Sequence, residues 1–363
     1  MQRELAPSAI PILAMVLLTG CIQRSEQSAT IYCATDREFA APILDAFERT
    51  HFKDAVDGKG NQDKETQQVV RVFDVEASKT LGLVSRIEQE SAQPKCDVFW
   101  NNEILHTIRL QKAGLLEPRR WNIPDAWPEG FLASDRSWVG YAARARVLIV
   151  NTEKLTDKSN WPASVQELAS DKWKANCGYA NPVYGTTATH FAVLASDPTA
   201  LQGTTWNTWI AQVREHAVQL AGNKQVALAV ASGELAWGLT DTDDAIIEKE
   251  KGMPVEMVFP DQLPDQFGTV FIPNTVAVIR NAPHPVLAAK LADYLVSEKT
   301  ESRLAMSSSA HFPIWPGANQ QSRIETLGIK RAKINFELAA ENWQARQESP
   351  KTPDKAITQP AAK

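Results

Sequence analysis

Three times in succession near the start of this chain, a short apolar run of strand character is followed by a segment of helical period. Residues 29–34 read ATIYCA, 69–75 VVRVFDV and 96–100 CDVFW. After the first, Phe39, Ile43, Leu44 and Phe47 recur at helical spacing across 39–52. Residues 80–89 and 103–113 read as the second and third helices, the latter closed by Gly114. Such a β-α-β-α-β-α order specifies an α/β fold with a parallel sheet and right-handed crossovers. Two later apolar runs are long for ordinary strands: WVGYAARARVLIVN from Trp138, and VFIPNTVAVI over 270–279. They read as connections between two lobes, one leaving and one returning. Between them lies a second α/β unit, with strands at 177–180 and 235–239 and helices at 186–194, 205–215 and 224–232. A further helix, 286–296, places Leu287, Leu291 and Leu295 on one face. The expected organisation is a first lobe over 29–140, a second over 141–268, and a return into the first over 269–344. Residues 53–68 read as a polar surface loop and 345–363, without period, as a disordered tail.

The N-terminus sets the compartment. Arg3 precedes an apolar run over 9–18, too short to span a bilayer, which ends in Leu18-Thr19-Gly20-Cys21. This resembles the lipobox of bacterial lipoproteins, with 1–20 as signal peptide, Cys21 as the lipidated residue and 21–28 as a linker. An exported, membrane-anchored protein on the extracytoplasmic face follows. Of four cysteines, Cys33, Cys96 and Cys177 remain, each in or beside a strand-like run. Buried thiols and a Cys33–Cys96 bridge are both open to them in an oxidising compartment. No Cys/His spacing suits zinc. With a net charge of -5 the chain lacks the basic surface of a nucleic-acid binder.

The sharpest local feature is Thr240-Asp241-Thr242-Asp243-Asp244, at the C-terminal end of an apolar strand. Three carboxylates so close repel one another, and a bound cation or a ligand ammonium would relieve them. Ligands of open α/β sheets also sit at strand C-terminal ends. The plain alternative is an exposed turn in which Asp244 starts a helix. An enzymatic alternative is a haloacid-dehalogenase-like phosphatase, with Asp241 as nucleophile and Asp243 as acid. Ala245 follows where such enzymes carry Thr or Val.

Taken with GNKQVALAVASGELAWGLTDTDDA and PNTVAVIRNAPHPVLAAKLADYLVSEKTESRLA, the segment CDVFWNNEILHTIRLQKAGLLEP resembles the solute-binding proteins of bacterial ABC importers. The likeness is to the ferric-iron-binding type and runs from about Ala29 to Pro316. It implies the type II periplasmic binding protein fold: two α/β lobes, two crossing strands and a ligand cleft between. It further implies a non-enzymatic, monomeric subunit that delivers its cargo to ABC permease subunits in the membrane. The implied cargo is Fe³⁺ with an accompanying anion.

Carried over position by position, the match is uneven. Where the family has a tyrosine pair, this chain has Asp243-Asp244; where it often has Arg-His-Tyr, this chain has Arg37-Glu38-Phe39. A metal set of Glu103, Asp241, Asp243 and Asp244 is what remains. The anion site maps to Tyr184-Gly185-Thr186-Thr187, at a helix start where free N–H groups and the dipole favour negative charge. Ser78-Lys79-Thr80 precedes another helix, and Asn223 matches a polar cleft position. Asp36 and Arg37 would face the cleft, Arg37 either pairing an anionic ligand or bonding Glu38. Trp100 stacks on a ligand or packs in the core; Asn102 flanks it. Asn274 donates into the cleft, or Pro273 simply kinks the strand. Trp237 reads as core and His190 as a packing residue. The alternative cargo is a zwitterionic or phosphonate-type solute, its acid on Ser78, Lys79, Thr186 and Thr187 and its amine on the aspartates.

Overall fold

A computed structural model describes residues 28–52, 68–73, 80–316, 322–324 and 328–348. Cys21 with its leader, and Ser78 and Lys79, lie outside these residues.

The first lobe opens with β1 (Ser28–Cys33), α1 (Arg37–His51), β2 (Gln68–Phe73), α2 (Leu81–Gln89), β3 (Val98–Asn101) and α3 (Leu105–Lys112). Parallel pairing sets the order β2-β1-β3, as the β-α alternation requires. Gly114, at φ +71°, lets the chain leave α3 in the left-handed region. The long β4 (Trp138–Asn151) then carries the chain to the second lobe. There follow β5 (Cys177–Ala180), α4 (Gly185–Ser196), α5 (Trp206–His216), β6 (Val218–Leu220), α6 (Asn223–Ala231), β7 (Trp237–Asp241), α7 (Thr242–Glu250) and β8 (Val255–Val258). β9 (Phe271–Val278) returns to the first lobe, where α8 (Pro285–Leu295) and α9 (Glu298–Met306) pack. The last helix, α10 (Phe336–Glu348), runs four residues into the stretch expected to be without structure. Its Phe336 and Ala339 are buried among Leu105 and Ile108 of α3 and Ala188 and Ala192 of α4.

The sheet runs β2-β1-β3-β9-β4-β7-β5-β6, with β8 also on β4. Parallel pairing holds inside each lobe, but both crossing strands are antiparallel to their neighbours. The reason is directional: one strand leaves the first lobe and the other comes back. β9 shows no break at Pro273. Asn274 is consumed there, its Nδ2 donating to the Ala142 carbonyl (2.5 Å) and its Oδ1 accepting from Thr35 Oγ1 (3.1 Å).

β4 carries a bulge between Tyr141 and Ala143, with Ala142 at φ +42°. Buried Glu301 accepts the Ala142 N–H at 2.7 Å. Beyond the bulge, Ala143, Ala145, Val147 and Ile149 face one core, while Leu148 and Val150 face the other. Arg144 and Arg146 therefore share the face of Leu148 and Val150, a face that runs into the second lobe.

Cys33, Cys96 and Cys177 are buried free thiols, and burial pushes each thiol up. Two of the fold's details carry predictions. A Cβ on Gly238 of β7 would lie 2.4 Å from Val226 Cγ1 and 3.1 Å from the Gly178 carbonyl oxygen. Gly238→Ala is expected to cost about 1–3 kcal/mol by overpacking, read as a lower denaturant midpoint. Asp261 is buried, with a carboxyl pushed up to about 6 chiefly by burial. Its ionised form is thus disfavoured in the fold, a penalty absent below the unfolded value near 4 and complete above pH 6. Asp261→Asn is expected to gain about 3 kcal/mol over the wild type at pH 8 and next to nothing at pH 4. Parallel denaturant curves at the two pH values check this; equal gains at both would refute it.

Candidate functional site

Four helices begin at one place. The first turns of α1, α4, α6 and α7 line a cavity of about 320 Å³, and none of the four is capped by its own N-cap side chain. The first-turn N–H groups and dipoles of such helices favour negative charge at the cavity wall, and one of them, the Asp244 N–H, is taken by Asp243 Oδ1 at 3.1 Å. Two of the helices answer with acids: Asp36 and Glu38 at α1, and Asp241, Asp243 and Asp244 at α7. The other two have no acid in the first turn, and present Tyr184, Gly185, Thr186 and Thr187 at α4 and Asn223 and Lys224 at α6. Arg37, Asn102 and Arg144 also line it.

Carboxylate oxygens of Asp241, Asp243 and Asp244 lie within 4.8 Å of one another. Their mutual repulsion is not left to a ligand. Arg146 Nη1 meets Asp241 Oδ1 at 2.5 Å, and Arg144 Nη1 lies 3.1 Å from Asp243 Oδ2 and 3.7 Å from Asp241 Oδ2. Asp241 Oδ2 also accepts from Thr186 Oγ1 (2.5 Å) and Asn223 Nδ2 (3.0 Å). Burial alone would raise the Asp241 carboxyl, but the two guanidinium groups and the Thr186 hydroxyl outweigh it and hold it below the usual range. Asp243 and Asp244 go the other way. Burial pushes both up, helped by the neighbouring carboxylates. Asp244 Oδ2 lies 3.4 Å from Thr240 Oγ1, whose proton goes to the nearer Asn223 carbonyl at 3.0 Å.

Arg146 is the hub of the second lobe's wall. Fully buried, it donates to Thr186 Oγ1 (3.1 Å), Thr187 Oγ1 (3.1 Å) and Asn223 Oδ1 (3.2 Å), and its Nε meets His190 Nδ1 at 3.4 Å. Burial and the Arg146 charge hold His190 well below its ordinary value, so it stays neutral and accepts. His190 and Trp237 are packing residues, as expected. Thr240 and Thr242 are buried and bond backbone groups, Asn223 O (3.0 Å) and Ala145 N (3.3 Å), fixing α6 and α7 to the strands.

Several sequence candidates fall elsewhere. Trp100 is fully buried against Tyr141, with ring centroids 6.2 Å apart, and does not line the cavity. Glu103 is withdrawn from the metal set. Both its oxygens are occupied by Asn101 Nδ2, Thr189 Oγ1 and the N–H groups of Leu105 and His106, so it caps α3 and ties it to α4. Thr80 is also buried, its single hydroxyl proton shared between Asn101 Oδ1 and Asn102 Oδ1, each 3.1 Å away. Arg37 lies over the Phe73 ring at 4.6 Å while lining the cavity edge. The phosphatase geometry is absent: Asp241 is 1% exposed, with both oxygens engaged, and presents no nucleophile. Arg144 and Arg146 were missed, although two arginines two residues apart in an otherwise apolar strand are a legible signal of a buried charge partner.

Two α/β lobes joined by two crossing strands, with a polar cavity at converging helix N-termini, define a type II periplasmic binding protein fold. Residues 63–329 match the family model for bacterial extracellular solute-binding proteins, and the chain belongs to that family. Among curated relatives, the major ferric iron-binding protein of Neisseria gonorrhoeae is 28% identical over 211 residues, 57% of this chain and 56% of the relative. This chain therefore spans little more than half of that relative's length. Iron uptake protein A1 of Synechocystis is 26% identical over 259 residues, 68% of this chain and 69% of the relative. Iron-bound HitA from Pseudomonas aeruginosa superposes with a TM-score of 0.73 at 21% identity, covering 88% of this chain and 98% of HitA. AfuA from Actinobacillus pleuropneumoniae, with fructose-6-phosphate bound, gives 0.71 at 19% identity over 88% and 96%. These relatives are binding proteins. Among the described residues no helix is long and apolar enough to cross a membrane.

Proposed function

We propose that this chain is the extracytoplasmic solute-binding subunit of an ABC importer and that its cargo is ferric iron, gripped by aspartates instead of tyrosines. The observation that carries this is the Asp241, Asp243 and Asp244 cluster in a cavity at the junction of the lobes. A hard trivalent cation favours anionic oxygen donors, and carboxylates supply them as phenolates do. The iron-binding relatives support the same cargo. Closure of the lobes about β4 and β9 would bring Asp36 and Glu38 of the first lobe onto cargo held by the second, a population shift driven by contacts made only when closed. An anion would accompany the metal at the first turn of α4. Cys21 would hold the protein to the membrane by its lipid, where the permease receives the cargo from a monomer. Lobe boundaries near residues 140 and 268 fit the two crossings.

The phenolic groups predict the colour. Of the five tyrosines only Tyr184 lines the cavity, and its hydroxyl donates to the Ala221 carbonyl at 2.7 Å; Tyr141 is buried in the crossing. Protein loaded with ferric citrate and desalted is expected to retain one iron per chain, with no visible phenolate-to-iron charge-transfer band. Failure to retain iron would remove this cargo; an intense band would place tyrosines at the metal.

A further inference from the structure

The chain crosses between the lobes again after β9. From α9 in the first lobe it passes to β4, where Ala143 and Phe312 exchange backbone hydrogen bonds of 2.8 and 2.7 Å. Ala310, Phe312 and Ile324 are buried with Val230 of α6 and Ile246 of α7, in the core of the second lobe. Residues 330–332 are fastened to the loop that leads from the second lobe into β9. Thr269 N–H donates to the Lys330 carbonyl and Ala332 N–H to the Thr269 carbonyl, each at 2.9 Å. Lys330 Nζ donates to the carbonyls of Leu263 (3.1 Å) and Pro264 (2.9 Å). From this anchorage α10 runs back over the seam between the lobes. Phe336, Ala339, Ala340 and Trp343 recur along it at i, i+3, i+4 and i+7, one helical stripe. The first three are buried against α3 of the first lobe and α4 of the second at once. Trp343 packs against that cluster and also against the second-lobe core that holds Phe191 and Trp209. The outer face is wet: Leu338 is 43% exposed, and Glu341 pairs with Lys112 of α3 at 2.8 Å.

We propose that α10 is an interlobe clasp, an amphipathic helix whose apolar stripe holds α3 to α4 and limits how far the lobes part when the cleft is empty. Its effect on cargo rests on the binding reading above; the clasp itself does not. Rotation about β4 and β9 moves the lobes as bodies, and α3 and α4 belong to different bodies. A helix packed on both must slide along one of them or lose its contacts there. Interdigitated side chains oppose sliding, and leaving exposes Phe336, Trp343 and the apolar sides of α3 and α4 to water. Thr189 Oγ1 of α4 donates to Glu103 Oε2 at the start of α3 (3.0 Å), so a polar tie joins the same two helices. The exposed Lys112–Glu341 pair adds little, which leaves the apolar stripe as the working part. Wider opening breaks these contacts, so the clasp shifts the unloaded population toward the arrangement in which the cavity is formed. Cargo then meets a cleft already assembled, and less of its binding free energy goes into ordering the lobes.

The test uses the full chain, unloaded and with ferric citrate as the probe. Ala339→Lys puts a charge into the buried seam, Trp343→Ala removes the far anchor, and Leu338→Lys alters only the wet face. The first two are expected to enlarge the radius of gyration of the unloaded protein in small-angle scattering. Amide hydrogen exchange in α3 and α4 is expected to quicken about tenfold in both. Both are expected to bind ferric citrate about tenfold more weakly, while Leu338→Lys matches the wild type throughout. Trp343→Ala, the milder change, decides the matter if Ala339→Lys folds poorly. A helix that only adds packing stability would lower the melting temperature and leave the unloaded scattering profile unchanged. That result, or tighter binding of ferric citrate by the variants, would overturn the clasp. A wild type that takes up no ferric citrate would overturn the cargo reading alone, and scattering and exchange would still decide the clasp.

Discussion

Replacing Arg146 with methionine is expected to lower the melting temperature by about 10 °C. The side chain is fully buried and spends its donors on Asp241, Thr186, Thr187, Asn223 and His190. Methionine fills much of the same volume, so the loss is electrostatic more than steric. Asp241, 1% exposed, would keep only the more distant Arg144 at 3.7 Å as a counter-charge. Removing one partner of a buried pair costs about 3–5 kcal/mol, because the other charge is left uncompensated. At roughly 2–4 °C per kcal/mol for a large domain, the melting temperature falls by the stated amount. The double variant Arg146→Met, Asp241→Leu removes both charges and is expected to be more stable than Arg146→Met alone. Calorimetry on the four proteins measures the coupling. A single variant within about 2 °C of wild type would show that Asp241 is satisfied without Arg146.

The same pair of residues shows where sequence was legible and where it was not. Strand and helix periodicity located β1 to β4, β5, β7 and β9, because strands at the centre of the sheet are continuous apolar runs, the antiparallel crossings β4 and β9 included, and the helices between them are amphipathic. The edge strand β6 and the short β8 carry no such run. The aspartate cluster was visible as a charge anomaly, and the cavity-lining start of α4 as a glycine-threonine helix opening. What balanced the aspartates was not visible. Arg144 and Arg146 sit some hundred residues away in sequence and reach them only because the bulge at Ala142 sets which face of β4 they occupy. Glu103 erred for the complementary reason. Its position near the cleft suggested a ligand, but a carboxylate two residues before a helix finds backbone N–H groups first. Asn274 likewise was consumed by the neighbouring strand. Spacing reveals where polar groups cluster; only the fold says which of them are already spent.

Asp244→Asn is expected to leave the stability of the unloaded protein unchanged while lowering its affinity for ferric citrate by about 100-fold, or roughly 3 kcal/mol. Burial, and repulsion from Asp243 and Asp241, push the Asp244 carboxyl well above the usual range. In the unloaded protein its neutral form is therefore favoured more than in an ordinary half-exposed aspartate, and asparagine copies that form in shape and charge. Iron needs the other form: a hard cation binds the carboxylate and expels the proton. The substitution should thus be silent in a melting curve and severe in a competition titration against a chelator of known affinity. Asp243→Asn provides the contrast. That residue is paired with Arg144, so its loss should cost both stability and affinity. If Asp244→Asn lowered the melting temperature as much as Asp243→Asn, Asp244 would be ionised and structural in the unloaded state. If instead it bound ferric citrate as wild type does, the metal would have to sit away from the head of α7, and an aspartate site for iron would no longer describe this cleft.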